Sequence, residues 1–192
     1  MEFLHELGHI HRNVKPESFL IVGITTSGDK VKYVTKLSDF RHSKNIQEDP
    51  NNSRRTMTID SDKSNGWIFP EFQDKNLTFK MDVFILGCFF YYVLFDGKHP
   101  FGSNQSERHD NIPDDKYFVY EKTWKPSQEI MGPISNQAME LIKSMIRFKA
   151  DDRPTLKKVH EDGYFSGRYN LYGEEENCPG LCVIFNQHYF QV

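Results

Sequence analysis

Thirteen consecutive apolar residues, Val83 to Phe95, stand between Asp82 and Asp96. The run is apolar on every side of a helical wheel, and a surface helix keeps one polar face, so 82–95 is expected to be a central, buried helix. It falls short of the ~18–20 residues that a membrane span needs, so no membrane segment is expected in this chain. Phe84, Leu86, Cys88, Phe89, Tyr91 and Leu94 are expected in the core, and the Phe/Tyr stripe reads as packing rather than as a stacking platform for bases.

The rest of the chain is organised around that helix. Residues 1–10 read as the last turns of an amphipathic helix, with Phe3, Leu4 and Leu7 on one face and Gly8 near its end, as though the chain starts inside an element. Two short apolar runs, Phe19–Ile24 and Val31–Leu37, flank a Gly-containing turn and predict a β-hairpin. Residues 41–66 are polar and aperiodic and predict a long surface loop. Pro100, Gly102 and the polar stretch 103–116 break the apolar helix. A periodic helix is expected at about Ser135–Phe148, with Met139, Ile142, Met145 and Ile146 on one face, and a short helix from Arg153-Pro154 to His160. From residue 166 the composition shifts to Gly, Tyr, Asn and an acidic run at 174–176, which marks a domain edge.

Charge and cysteine usage narrow the function classes. With 24 basic against 27 acidic residues the net charge is −3, which disfavours a generally basic nucleic-acid binder. Lys122 to Lys125 and Lys157-Lys158 read as solvated surface. Three cysteines, Cys88, Cys178 and Cys182, are too few and too unevenly spaced for a disulfide framework. Cys178 and Cys182 with His188 lack a fourth ligand for zinc and read as unpaired thiols.

Three signals occur in fixed order. His11-Arg12-Asn13-Val14-Lys15-Pro16-Glu17-Ser18 precedes the hairpin, Asp39-Phe40-Arg41 follows it, and Phe69-Pro70-Glu71 closes the long loop. With an Asp82-led apolar helix and Arg153 near the end, the set resembles the C-terminal lobe of a protein kinase over about residues 3–165. The phrases Gly66–Glu71, Gly87–Val93 and Gly97–Gly102 are similar to the inositol-requiring-enzyme family, kinase/endoribonucleases of the unfolded-protein response at the endoplasmic reticulum. The resemblance implies a mainly α fold with a small β-hairpin and a long activation-segment loop at 1–165. A divergent tail follows at 166–192, too short for the family's nuclease domain. No Gly-rich phosphate loop and no strand lysine occur, so the N-terminal lobe is expected to be absent.

Residue roles follow from the same resemblance. ATP with Mg2+ is the implied cofactor, Asp39 the carboxylate that holds the first metal ion, and Lys15 a contact to the transferred phosphate. Asn13 stands where the family has its catalytic base, Ser18 where it has a second metal ligand, and Arg41 where it has Gly. Arg41 is placed to pair with nucleotide phosphates or to restrict the turn. His11 braces the catalytic loop, and Arg12 is placed to meet a phosphorylated activation segment. Asp82 is structural, and Glu71 and Arg153 match a buried anchoring ion pair. Ser53, Thr56 and Thr58, beside Arg54 and Arg55, are candidate phosphosites or a solvated loop. The implied function is a Ser/Thr-kinase-like fragment acting as a pseudokinase that binds partners or a nucleotide. One alternative is an active kinase completed by an N-terminal lobe in a longer isoform. Another is a scaffold or decoy that pairs with a full-length relative through kinase-domain dimerisation. The expected location is the cytoplasm, on the cytosolic face of the endoplasmic reticulum if the chain is part of a longer membrane protein.

Overall fold

The computed structural model describes residues 1–27, 30–46, 64–73, 77–95, 97–113 and 133–163. The elements in chain order are α1 (Glu2–Glu6), β1 (His9–Ile10), β2 (Phe19–Ser27), β3 (Lys30–Leu37), β4 (Lys44–Asn45), α2 (Phe79–Leu94), α3 (Gln105–Asn111), α4 (Pro133–Met145) and α5 (Leu156–His160). Short 3-10 turns lie at Pro16–Ser18, Phe40–His42, Pro70–Gln73 and Ala150–Asp152. Among the described residues no helix is long and apolar enough to cross a membrane.

The apolar run forms the central helix, and its burial is nearly all-round. Met81 through Phe89 and Tyr91 are buried. Leu94, expected in the core, is only half-buried in the last turn, where Phe95 takes the core position instead. The helix begins at Phe79, three residues ahead of Asp82, so the acidic residue does not lead the helix but is swallowed in its first turn. Packing against α4 is close at one point: a Cβ on Gly87 would come within 2.8 Å of Ile146 Cγ2 and of Met145 Cβ. Only glycine lets the two backbones approach this far. Leu141, Ile142 and Met145 of α4, with Ile146 just past its end, are buried against the core, while Met139 is partly buried. The helix starts with Pro133 at its first position, where a missing N–H costs nothing.

The hairpin β2–β3 is antiparallel, pairs Phe19 with Leu37, and has a bulge between Ile21 and Gly23. Phe19 stacks on Phe89 of α2 at 4.2 Å between ring centroids, which seats the hairpin on the central helix. Leu20, Val22, Ile24 and Val34 are exposed on it. A second ladder, His9–Ile10 with Lys44–Asn45, lies in a stretch whose C-terminal half reads from sequence as loop. Two-residue strands carry too little pattern to be seen in advance.

Two expectations need correction. The helix at 2–6 forms, but Phe3 and Leu7 are exposed, so the apolar face of 1–10 is not a core face. What ties α1 down is polar: His5 Nε2 bonds Asp82 Oδ2 at 2.9 Å, and His160 Nδ1 lies 2.8 Å from Glu2 Oε2. The polar stretch 103–116 does more than break a helix, because it contains α3. Asn104 Oδ1 accepts the Glu107 N–H at 3.0 Å, and Glu107 Oε2 accepts the Ser103 N–H at 2.7 Å, a reciprocal N-terminal cap.

Candidate functional site

The hairpin brings two sequence segments together. Its ends are closed by Ser38 N–H donating to Ser18 O at 2.8 Å and by His11 Nε2 bonding Ser38 O at 2.8 Å. The loop 11–18 therefore lies beside residues 38–42, and Asn13 Nδ2 donates to Asp39 Oδ2 at 2.6 Å across 26 residues of sequence. Lys15 is near enough for its charge to act on Asp39.

Asp82 holds the other side of this loop. Its Oδ2 accepts the His11 N–H at 2.7 Å and its Oδ1 the Arg12 N–H at 2.8 Å. Arg12 sits at φ 66, a left-handed conformation that a long side chain adopts only where its surroundings impose it. The buried carboxylate supplies that constraint from the first turn of α2. The Arg12 side chain donates to His42 O, which ties it to the Asp39–His42 turn.

His11 is fully buried, with its ring edge-on to Phe40 at 5.1 Å. Since Ser38 O can only accept, Nε2 carries the proton, and Nδ1 is then free to accept the Asn13 N–H at 3.3 Å. Burial pushes the His11 pKa down, and burial pushes that of His99 well down. His99 is enclosed by Trp67 and Phe101 and accepts the Phe101 N–H at its Nδ1. Both imidazoles are depressed in the folded chain, so the unfolded chain binds more protons on acidification. Their stabilising contribution is whole above the ordinary value of 6.5 and is lost as pH falls below it toward the folded values. The expected result is a thermal midpoint that declines steadily from about pH 7 to 5. A midpoint that is flat or rises over that range contradicts the assignment.

The metal position has its own occupants. Asp39 adopts φ 62, which Asp tolerates in tight turns. Arg41 Nε donates to Asp39 Oδ1 at 2.7 Å and Nη2 lies 3.3 Å from Oδ2. The Arg41 hydrogen bond, followed by the charges of Arg41, His42 and Lys15, holds the Asp39 carboxyl below the usual carboxylate range. Ser18 is fully buried and its hydroxyl donates to Asn13 O at 2.6 Å. A hard divalent cation needs several oxygen ligands turned toward one point. Here one oxygen donor faces inward to a carbonyl, and Asp39 receives N–H groups on both its oxygens. Among the described residues no group of three or more His, Cys, Asp or Glu converges on one point. The donor set does not fit Mg2+.

Glu71 and Arg153 meet beside the first turn of α2. Glu71 Oε1 lies 2.7 Å from Arg153 Nη1, a charge contact without the alignment of a hydrogen bond. Arg153 is buried, and its guanidinium donates to Arg147 O at 2.6 Å, Phe148 O at 2.7 Å and Lys80 O at 3.0 Å, over the face of Phe84. Burial lowers its pKa, and Glu71 offsets this only in part.

Ser53, Thr56, Thr58, Lys122 to Lys125, and the tail cysteines with His188 lie outside the described residues. The sequence reading missed His5 and the pairing of Arg41 with Asp39. A histidine six residues before His11 carries no periodic signal, whereas an Arg two residues from an Asp, across a left-handed turn, is a visible one.

The protein kinase domain family model matches residues 1–165. The sensor for unfolded proteins in the ER ire1 of Schizosaccharomyces pombe is 31% identical over 176 residues, covering 81% of this chain and 16% of that protein. The serine/threonine-protein kinase/endoribonuclease IRE1 of Oryza sativa subsp. japonica is 31% identical over 183 residues, covering 95% and 17%. An inactive serine/threonine-protein kinase/endoribonuclease IRE1-like protein of Arabidopsis thaliana is 32% identical over 164 residues, covering 81% and 26%. The chain thus spans between 16% and 26% of the length of these relatives. With the kinase domain model matching residues 1–165 and relatives 31% identical over 81% and 95% of its length, the chain belongs to the protein kinase family and is similar within it to the IRE1-type serine/threonine kinases.

Proposed function

We propose that this chain is a pseudokinase of the unfolded-protein-response type, which works by binding a partner and does not transfer phosphate. The observation that carries the reading is the 2.6 Å bond from the Asn13 amide to Asp39. A catalytic base must accept the proton of a substrate hydroxyl, and at this position the chain presents a group that donates. Protein kinases in general use ATP with Mg2+, and catalysis is positioning plus neutralisation of phosphate charge. Lys15 would supply one phosphate contact, Arg12 and Asp82 the loop geometry, and His11 the brace beneath it. The base is missing, and a lost general base typically costs about 10²–10⁴-fold in rate.

Support for a partner-binding role comes from the hairpin. Leu20, Val22, Ile24 and Val34 are exposed on one small sheet, and clustered apolar exposure marks interaction sites more often than chance. The partner of this reading is a second kinase domain, in a dimer or in a full-length relative.

The test is incubation of the purified chain with γ-labelled ATP, Mg2+ and a generic Ser/Thr substrate. The expected incorporation equals that of its Asp39→Ala variant. Incorporation that Asp39→Ala abolishes overturns the reading.

A further inference from the structure

The Asp39 carboxylate already has a cation. Arg41 reaches it with a planar fork, Nε to Oδ1 at 2.7 Å and Nη2 toward Oδ2 at 3.3 Å, while the Asn13 amide donates to Oδ2 from the opposite segment. We propose that Arg41 is a built-in counter-cation that takes the place of a divalent metal at Asp39 and closes the site to Mg2+ and Mn2+. The inference deepens the proposed loss of phosphoryl transfer and rests on that reading of the site.

Three features support it. First, the pairing is intrinsic to the local backbone. Asp39 at φ 62 opens a turn over Phe40–His42, closed by Ser43 N–H donating to Phe40 O at 2.9 Å, and the turn carries Arg41 back over its neighbour. An ion pair two residues apart needs no long-range ordering to form. Second, the fork suits a carboxylate as a compact ammonium does not, because two N–H groups meet two oxygens. Third, the Asp39 oxygens that a metal would recruit already receive N–H groups. Arg41 donates to Oδ1 and reaches Oδ2, the Asn13 side chain turns its NH2 to Oδ2, and Ser18 is fully buried. A divalent ion at Asp39 would have to displace the guanidinium while standing close to a positive charge tethered beside it, with Lys15 and His42 adding to the repulsion.

The test reads metal occupancy alone, with no nucleotide present. Free Mn2+ is followed by electron paramagnetic resonance during titration of the purified chain, of Arg41→Gly, of Arg41→Gln, and of each combined with Asp39→Asn. The Arg41 side chain is 80% exposed, so its removal leaves the core intact, and thermal midpoints check this directly. Arg41→Gln removes the charge without adding the backbone freedom of glycine. The expected result is no Asp39-dependent Mn2+ site in the unaltered chain. Both Arg41 variants gain one at least about tenfold tighter than the unaltered chain, and Asp39→Asn removes it again. An unaltered chain that binds Mn2+ through Asp39 as tightly as the variants overturns the inference, as does failure of both Arg41 variants to gain the site. A chain that binds Mn2+ yet transfers no phosphate overturns this inference and leaves the proposed function standing. Phosphate transfer overturns the function itself.

Discussion

Replacing Arg153 with Met is expected to lower the thermal midpoint of the chain by roughly 6–20 °C, at about 2–4 °C per kcal/mol for a chain of this size. The cause is not the loss of a surface charge. Arg153 is 2% exposed, and its guanidinium satisfies the carbonyls of Arg147 and Phe148 beyond the end of α4 and of Lys80 in the first turn of α2. Lys80 returns a bond to Arg153 O, so α2 and the segment that carries Arg153 are tied in both directions. Met fills much of the volume over Phe84 but takes the guanidinium from the carbonyls of Arg147 and Phe148 and leaves Glu71 without its cation. Removing one partner of a buried pair costs about 3–5 kcal/mol. Circular dichroism melting measures it directly. A drop smaller than about 2 °C would mean that the pair is bystander geometry.

Asp82→Ala is expected to have the second large effect, and to act on the site as well as on stability. Asp82 is fully buried and accepts from His11 N, Arg12 N and His5 Nε2 at 2.7, 2.8 and 2.9 Å. Alanine orphans two buried amide donors, at about 1–3 kcal/mol each. It also releases Arg12 from its left-handed conformation, so the loop carrying Asn13 and Lys15 loses its support. The expected readout is loss of hydrogen-exchange protection at the His11 and Arg12 amides, together with a lower midpoint. Asp82→Asn keeps one acceptor and should lose less. Amides that stay protected in Asp82→Ala would show that the loop is held by its own hairpin.

What was legible in the sequence depended on how much signal each element carries. The all-round apolar run could only be a buried helix, and the periodic face of Ile142, Met145 and Ile146 marked α4. Element limits differ by a few residues, α2 starting at Phe79 and α4 at Pro133, because the apolar pattern does not mark where a helix begins. α3 was hidden by its polarity, although Asn104 and Glu107 are spaced as a cap. The two-residue ladder of His9–Ile10 with Lys44–Asn45 has no local signature, being made by chain closure. In the site, residue identities were readable but hydrogen-bond directions were not. Ser18 looks like an oxygen ligand until its hydroxyl is seen to face Asn13 O, and Arg41 looks like a phosphate contact until it is seen on Asp39. The exposed positions of Phe3 and Leu7 show the limit of periodicity, because α1 is held through His5 and Glu2 rather than through its apolar residues.

The proposed loss of phosphate transfer lies at several positions at once, within a loop that Asp82 and the hairpin hold in place, and phosphate transfer by Asn13→Asp is its test. Restoring the carboxylate supplies a base, but Arg41 still holds Asp39, Ser18 still faces inward, and a second carboxylate beside Asp39 adds like-charge repulsion. Incorporation of labelled phosphate into a generic Ser/Thr substrate by purified Asn13→Asp should therefore remain at the level of the Asp39→Ala control. Incorporation rising by about 10²-fold or more on that single change, the size of one general base, would contradict the account and place the whole deficit at Asn13.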